Sequence, residues 1–85
     1  MAKRTPAEVF PPGEVLKEEL EARGWSPVEL AGIMGRPPRV IREIILGKRA
    51  ITQETAKGLG AALGTGAEFW ISLEGTYQLS RVSHE

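Results

Sequence analysis

Glycines punctuate this sequence at intervals that suit brief helices. Gly24, Gly35, Gly47 and Gly64 each close an amphipathic stretch, and each is soon followed by a helix-start signal. Those signals are Ser26-Pro27-Val28-Glu29, Pro37-Pro38, Thr52 and Thr65-Gly66-Ala67-Glu68. Glycine tolerates the left-handed conformation in which helices commonly end. Ser or Thr can cap the orphan N–H groups of a new helix, Pro fits its first position, and Glu at the third position completes a capping box. Between the breaks, apolar residues recur at intervals of three and four, the helical signature. The first helix starts at Gly13, or one residue earlier if Pro12 opens it, and turns Val15, Leu16 and Leu20 to one side. Glu19 and Arg23 are spaced to pair across one of its turns. The second helix carries Leu30, Ala31 and Met34, and the third carries Val40, Ile41, Ile44 and Ile45. The fourth carries Ala56, Leu59 and Leu63, with Gly58 and Gly60 inside it at a cost of about 1 kcal/mol each relative to Ala. The fifth carries Phe69, Trp70, Leu73 and Tyr77. No segment alternates as a half-buried strand would, so the fold is predicted to be all-α with five helices.

The boundaries follow from the same punctuation. Pro6, Pro11 and Pro12 make residues 1–12 an extended N-terminal arm. Residues 13–79 form one domain, and the polar stretch 80–85 is a frayed tail. A chain of 85 residues without cysteine has neither disulfides nor thiolate metal sites to support it. It buries only about 60–65% of its unfolded surface. Helix–helix packing and oligomerisation are the remaining supports, so a homodimer is expected. Met1-Ala-Lys-Arg lacks the apolar core of a signal peptide, and no apolar run approaches the roughly 18 residues of a membrane span. The expected location is the cytoplasm, with no membrane partner.

Enzymatic chemistry lacks its parts. Cysteine and aspartate are absent and His84 is the sole histidine, so neither a nucleophilic triad nor an ordinary zinc site can be assembled. Glu18 and Glu21 lie near each other on one helix surface, where water rather than a pocket surrounds them. The expectation is no enzyme, no metal and no cofactor.

The informative stretch is Pro27 to Leu46. A small residue at Ala31 lets the second helix approach the third, Gly35 reverses the chain, and Ile41 and Ile44 fasten the third helix from beneath. Two short helices joined in this way make a helix-turn-helix. The outward positions of its second member are then Arg36, Arg39, Arg42 and Glu43, with Pro38 at the tip. Charge agrees with this reading. The protein is neutral overall, yet between positions 36 and 49 the bases Arg36, Arg39, Arg42, Lys48 and Arg49 face Glu43 alone, while the flanks are acidic. A basic face of this kind is the electrostatic footprint of a nucleic-acid binder, although solvated lysines and arginines can look the same.

Most of the chain, from Gly13 to Leu79, resembles the HigA family of antitoxins, within the Cro/lambda-repressor-like or XRE-like group that includes VapI and the plasmid maintenance system antidote proteins. The resembling residues are Gly13-Glu-Val-Leu-Lys-Glu-Glu-Leu20, Arg23-Gly-Trp-Ser26, Ala31 with Gly35, Gly47-Lys-Arg-Ala-Ile-Thr52, Glu54-Thr-Ala56, Ala62-Leu-Gly-Thr65, Glu68-Phe-Trp70, and the Leu73 to Tyr77 ending. The resemblance implies a lambda-repressor-like domain with the helix-turn-helix at helices 2 and 3. It implies a dimer that represses transcription at a palindromic operator in double-stranded DNA, and neutralisation of a HigB/RelE-like toxin.

On this reading, the base-reading residues are Arg36, Pro38, Arg39, Arg42 and Glu43, with base contact falling mainly to Arg39 and Arg42 and Arg36 nearer the backbone. Ser26, Lys48, Arg49 and Thr52 hold phosphate, and Phe69, Leu73 and Tyr77 form the dimer seam. Arginine suits the O6 and N7 acceptors of guanine, and amides at a helix start suit phosphate. Lys3 and Arg4 are candidates for a minor groove. The departures from the family fall on the same surface. Pro27 stands where Gln is common, Pro37-Pro38 where Ser and polar residues are common, and Leu46 where Asn is usual. Proline offers no N–H to a phosphate. An alternative is therefore a toxin-neutralising interaction module that keeps the scaffold and has lost DNA reading.

Overall fold

The computed structural model describes residues 10–82. Among them are helices α1 (Pro12–Arg23), α2 (Pro27–Met34), α3 (Pro38–Ile45), α4 (Gln53–Leu63) and α5 (Ala67–Val82). Most of the proline-rich arm, Lys3 and Arg4 included, lies outside the described residues, and Pro12 itself opens α1.

The local signals act as their chemistry dictates. Ser26 and Glu29 form the reciprocal box: the Glu29 amide donates to Ser26 Oγ at 3.1 Å, and the Ser26 amide donates to Glu29 Oε1 at 2.7 Å. Thr52 Oγ1 accepts the Thr55 amide at 3.1 Å. After α2, Gly35 takes φ 70°, ψ 35°. That left-handed turn lets the Arg36 amide reach back to the Ala31 carbonyl at 2.9 Å, the closing bond of a helix that must end sharply. One signal acts differently. Thr65 does not cap α5, which starts only at Ala67. Its hydroxyl instead accepts the indole N–H of Trp70 at 2.8 Å and donates to the Gly66 carbonyl. A buried tryptophan needs a partner for its single donor, and that need overrides the cap.

The core is a single cluster. Leu16, Leu30, Ile41, Ile44, Leu59 and Trp70 have essentially no exposed surface, and Val15, Leu20, Ala31, Ala56 and Leu63 close around them. Met34, Val40, Ile45 and Leu73 pack at its margin. Two glycines mark where backbones meet. A Cβ on Gly13 would stand 2.2 Å from the Ile44 carbonyl oxygen, so α1 rests directly on the last turn of α3. A Cβ on Gly60 would stand 2.3 Å from the Gly66 carbonyl carbon, so α4 and the start of α5 touch. The helical cost of Gly60 is the condition for that contact. Arg23 ties the two ends together: it pairs with Glu19, donates to the Leu63 carbonyl at 2.7 Å, and lies 5.8 Å from the ring centre of Trp25. At the other end α5 continues through Ser80 to Val82, past the point where the composition turns polar.

Candidate nucleic-acid interface

The burial of α3 decides which of its side chains are presented. Ile41 and Ile44 are buried, so Arg39 and Arg42, three residues apart on the opposite face, point to solvent. The Arg39 side chain is 79% exposed. Pro38 sits half-buried at the tip, preceded by Pro37 at φ −63°, ψ 141°, a cap without a side-chain hydrogen bond. Of the cations between positions 36 and 49, Arg42 and Lys48 make no ion pair among the described residues, whereas Arg36, Arg39 and Arg49 are held. Arg36 Nη2 lies 3.1 Å from Glu54 Oε2 in the first turn of α4, with Glu54 largely exposed. Glu43, half-buried, accepts Arg49 Nε at 2.8 Å and Nη2 at 2.7 Å on its Oε1, and its Oε2 lies 3.6 Å from Arg39 Nε.

The turn after α3 is built on the same short stretch. Gly47 adopts φ 78°. The Lys48 amide donates to the Glu43 carbonyl at 2.8 Å, and the Lys48 residue is exposed. Ile51 is buried, and its amide donates to Glu74 Oε1 at 3.1 Å. Thr52 is exposed at the cap of α4, and Ser26 is exposed at the cap of α2. Arg39, Glu43 and Arg49 are thus brought together, and Arg36 is joined to Glu54. Sequence reasoning missed Glu54 and Glu74. Neither has a local signal, because each partner lies in another element.

The helix-turn-helix family model (HTH_3) matches residues 16–70. The chain belongs to this family. Its relatives fall where the resemblance to XRE-like antitoxins pointed. Virulence-associated protein I of Dichelobacter nodosus is 35% identical over 75 residues, which span 87% of this chain and 69% of the relative. Among solved structures, a protein of Nostoc punctiforme described as an antidote of a plasmid maintenance system superposes with TM-score 0.87 at 32% identity, covering 92% of this chain and 86% of its own. The Pseudomonas aeruginosa antitoxin HigA, determined with the higBA promoter, gives TM-score 0.84 at 30% identity, covering 88% and 83%. An addiction module antidote of the HigA family from Coxiella burnetii gives TM-score 0.78 at 37% identity, covering 82% and 77%.

In this helix-turn-helix protein, the residues expected at a dimer seam divide. Phe69 is exposed and stands edge-on to Trp70, ring centres 5.0 Å apart. Leu73 is partly buried against the core. Tyr77 is half-buried beneath Arg81 at 5.6 Å, where it lines a groove of about 220 Å³ beside Pro11, Pro12 and Lys48. The most exposed apolar residues of α5 are Phe69, Ile71 and Leu79, the last 69% exposed. Ile71 and Leu79 were not picked out from the sequence. Their signal is a spacing of eight residues, about 80° around the helix, which keeps both within one broad apolar face. No helix among the described residues is long and apolar enough to cross a membrane.

Proposed function

We propose that this protein is a DNA-binding transcriptional repressor of the HigA antitoxin type, acting as a symmetric dimer at a palindromic operator. The observation that carries the reading is the outward pair Arg39 and Arg42 on an α3 held from beneath by Ile41 and Ile44. A helix so presented suits the major groove. Support comes from relatives of the same fold determined with operator or promoter DNA. Arg39 and Arg42 read base edges, while Arg36, tethered to Glu54, stays nearer the backbone. Lys48, unpaired in the turn, holds phosphate together with Ser26, Arg49 and Thr52. The antitoxin type brings with it a toxin partner of the HigB/RelE kind.

The test is direct. The full-length chain is offered a random duplex library, and the selected duplexes are titrated by fluorescence anisotropy. The expected result is a two-fold symmetric site bound about a thousandfold or more tighter than random duplex, the lower range for specific DNA binding. Absence of binding even to random duplex at low salt would overturn the proposal and favour the interaction module that has lost DNA reading.

The proposed dimer seam runs along α5; what supports it is the exposed apolar surface of Phe69, Ile71 and Leu79, with Leu73 and Tyr77 as its inner margin. Leu79→Glu is expected to leave the fold intact, since Leu79 is exposed, and to shift the protein to monomer in sedimentation. A dimer unchanged by Leu79→Glu would place the seam elsewhere.

A further inference from the structure

The arginines on the proposed reading surface are not equally free: Glu54 holds Arg36, and Glu43 holds Arg39 and Arg49. Glu43 occupies the α3 face that carries Arg39, four residues on, and holds Arg49 across the turn by two short contacts to one oxygen. Its other oxygen faces Arg39 at 3.6 Å. We propose that Glu43 is a positioning residue that sets the protein's discrimination between its operator and other DNA. It competes with phosphate for Arg39 and Arg49. This rests on the DNA-binding reading and deepens it.

The physical argument concerns which contacts can replace the pair. A carboxylate beside the phosphodiester backbone repels it, and arginines bound to that carboxylate must be surrendered before they can bind phosphate. Random duplex offers only phosphate, a diffuse electrostatic reward. A site with guanine in register offers Arg39 a bidentate acceptor pair of defined geometry. Glu43 therefore penalises random duplex more than the correct site: on random duplex Arg39 and Arg49 gain only by leaving the carboxylate for phosphate, whereas at the correct site Arg39 goes to guanine and Glu43 keeps Arg49. Specificity is a difference of affinities, and a built-in penalty on the wrong partner raises it. The tighter hold on Arg49 than on Arg39 fits this division. The turn bearing Lys48 stays anchored to α3, while Arg39 is retained loosely enough to be transferred to a base.

The experiment uses the full-length chain, one duplex selected by the wild type and one random duplex of equal length, titrated at several salt concentrations. Glu43→Gln is isosteric, at a residue whose side chain is 30% exposed, and an unchanged thermal melt reads the fold. It is expected to bind random duplex about threefold to tenfold tighter, with a salt slope steeper by about 0.9, one more phosphate neutralised. Its affinity for the selected duplex should change by about twofold or less, so the ratio of the two falls. Glu43→Asp, which keeps the charge, should return the salt slope to the wild-type value. If Glu43 merely staples the turn, Glu43→Gln and Arg49→Gln will both weaken both duplexes, and the inference is overturned. It is equally overturned by a ratio and slope that do not move. A wild-type chain that selects no sequence overturns the DNA-binding reading itself, a result distinct from these.

Discussion

Replacing Gly13 by alanine is expected to destabilise the protein by about 3 kcal/mol, although alanine is intrinsically the better helix former by about 1 kcal/mol. The two effects oppose each other, and distance decides which wins. The new methyl would lie 2.2 Å from the Ile44 carbonyl oxygen and 2.7 Å from that of Ile45, both backbone atoms that no side-chain rotation can move aside. The first helix must then lift from the last turn of α3, loosening Val15, Leu16 and Leu20 in the core. For a domain of this size 1 kcal/mol shifts the melting temperature by about 4–8 °C, so the melt should fall by more than 10 °C. Gly32 supplies the contrast. It lies in α2, exposed, and a methyl there meets nothing within 4 Å. Gly32→Ala should therefore stabilise by up to about 1 kcal/mol. Urea unfolding of both variants checks the pair. A Gly13→Ala protein as stable as the wild type would mean that α1 does not sit against α3 as described.

The second large effect belongs to the proposed reading surface. The Arg39→Ala/Arg42→Ala double variant is expected to lose about a hundredfold or more in affinity for the selected duplex, since each good arginine–guanine pair is worth about 1–3 kcal/mol of discrimination. Affinity for random duplex should fall much less, and base preference should relax at the positions those side chains meet. Lys48→Ala should weaken all duplexes alike and reduce the salt slope by about one. Stability should change little in either variant, because all three side chains are exposed. Equal affinity of wild type and double variant for the selected duplex would sink the assignment of Arg39 and Arg42 as base readers.

The helices were legible because their ends are written locally. Ser26 with Glu29, Gly35, Pro38 and Thr52 act within a few residues of themselves, so short-range chemistry suffices to place them. The same period that places Ile41 and Ile44 inward places Arg39 and Arg42 outward. What the sequence hides is the choice of partner, whether a few residues on or in another element. Thr65 reads as a cap until the indole of Trp70 claims it. Glu54 and Glu74 read as ordinary acidic surface until Arg36 and the Ile51 amide arrive from other elements. Helical spacing groups residues onto faces without saying which face meets the core. For α5, which carries apolar residues around most of its girth, that ambiguity left Ile71 and Leu79 unremarked and grouped Leu73 and Tyr77 with Phe69.

The hydrogen bond from the Ile51 amide to Glu74 has a consequence for the order in which the protein is made. The turn bearing Lys48 and Arg49 leaves the ribosome well before the carboxylate that secures its far end. A nascent or clipped polypeptide ending short of position 74 would carry every arginine of α3 yet leave that amide without its acceptor, and with it the stretch just ahead of α4 unfinished. The brace on the basic turn is thus supplied by the last helix, and a chain that stops before Glu74 lacks it.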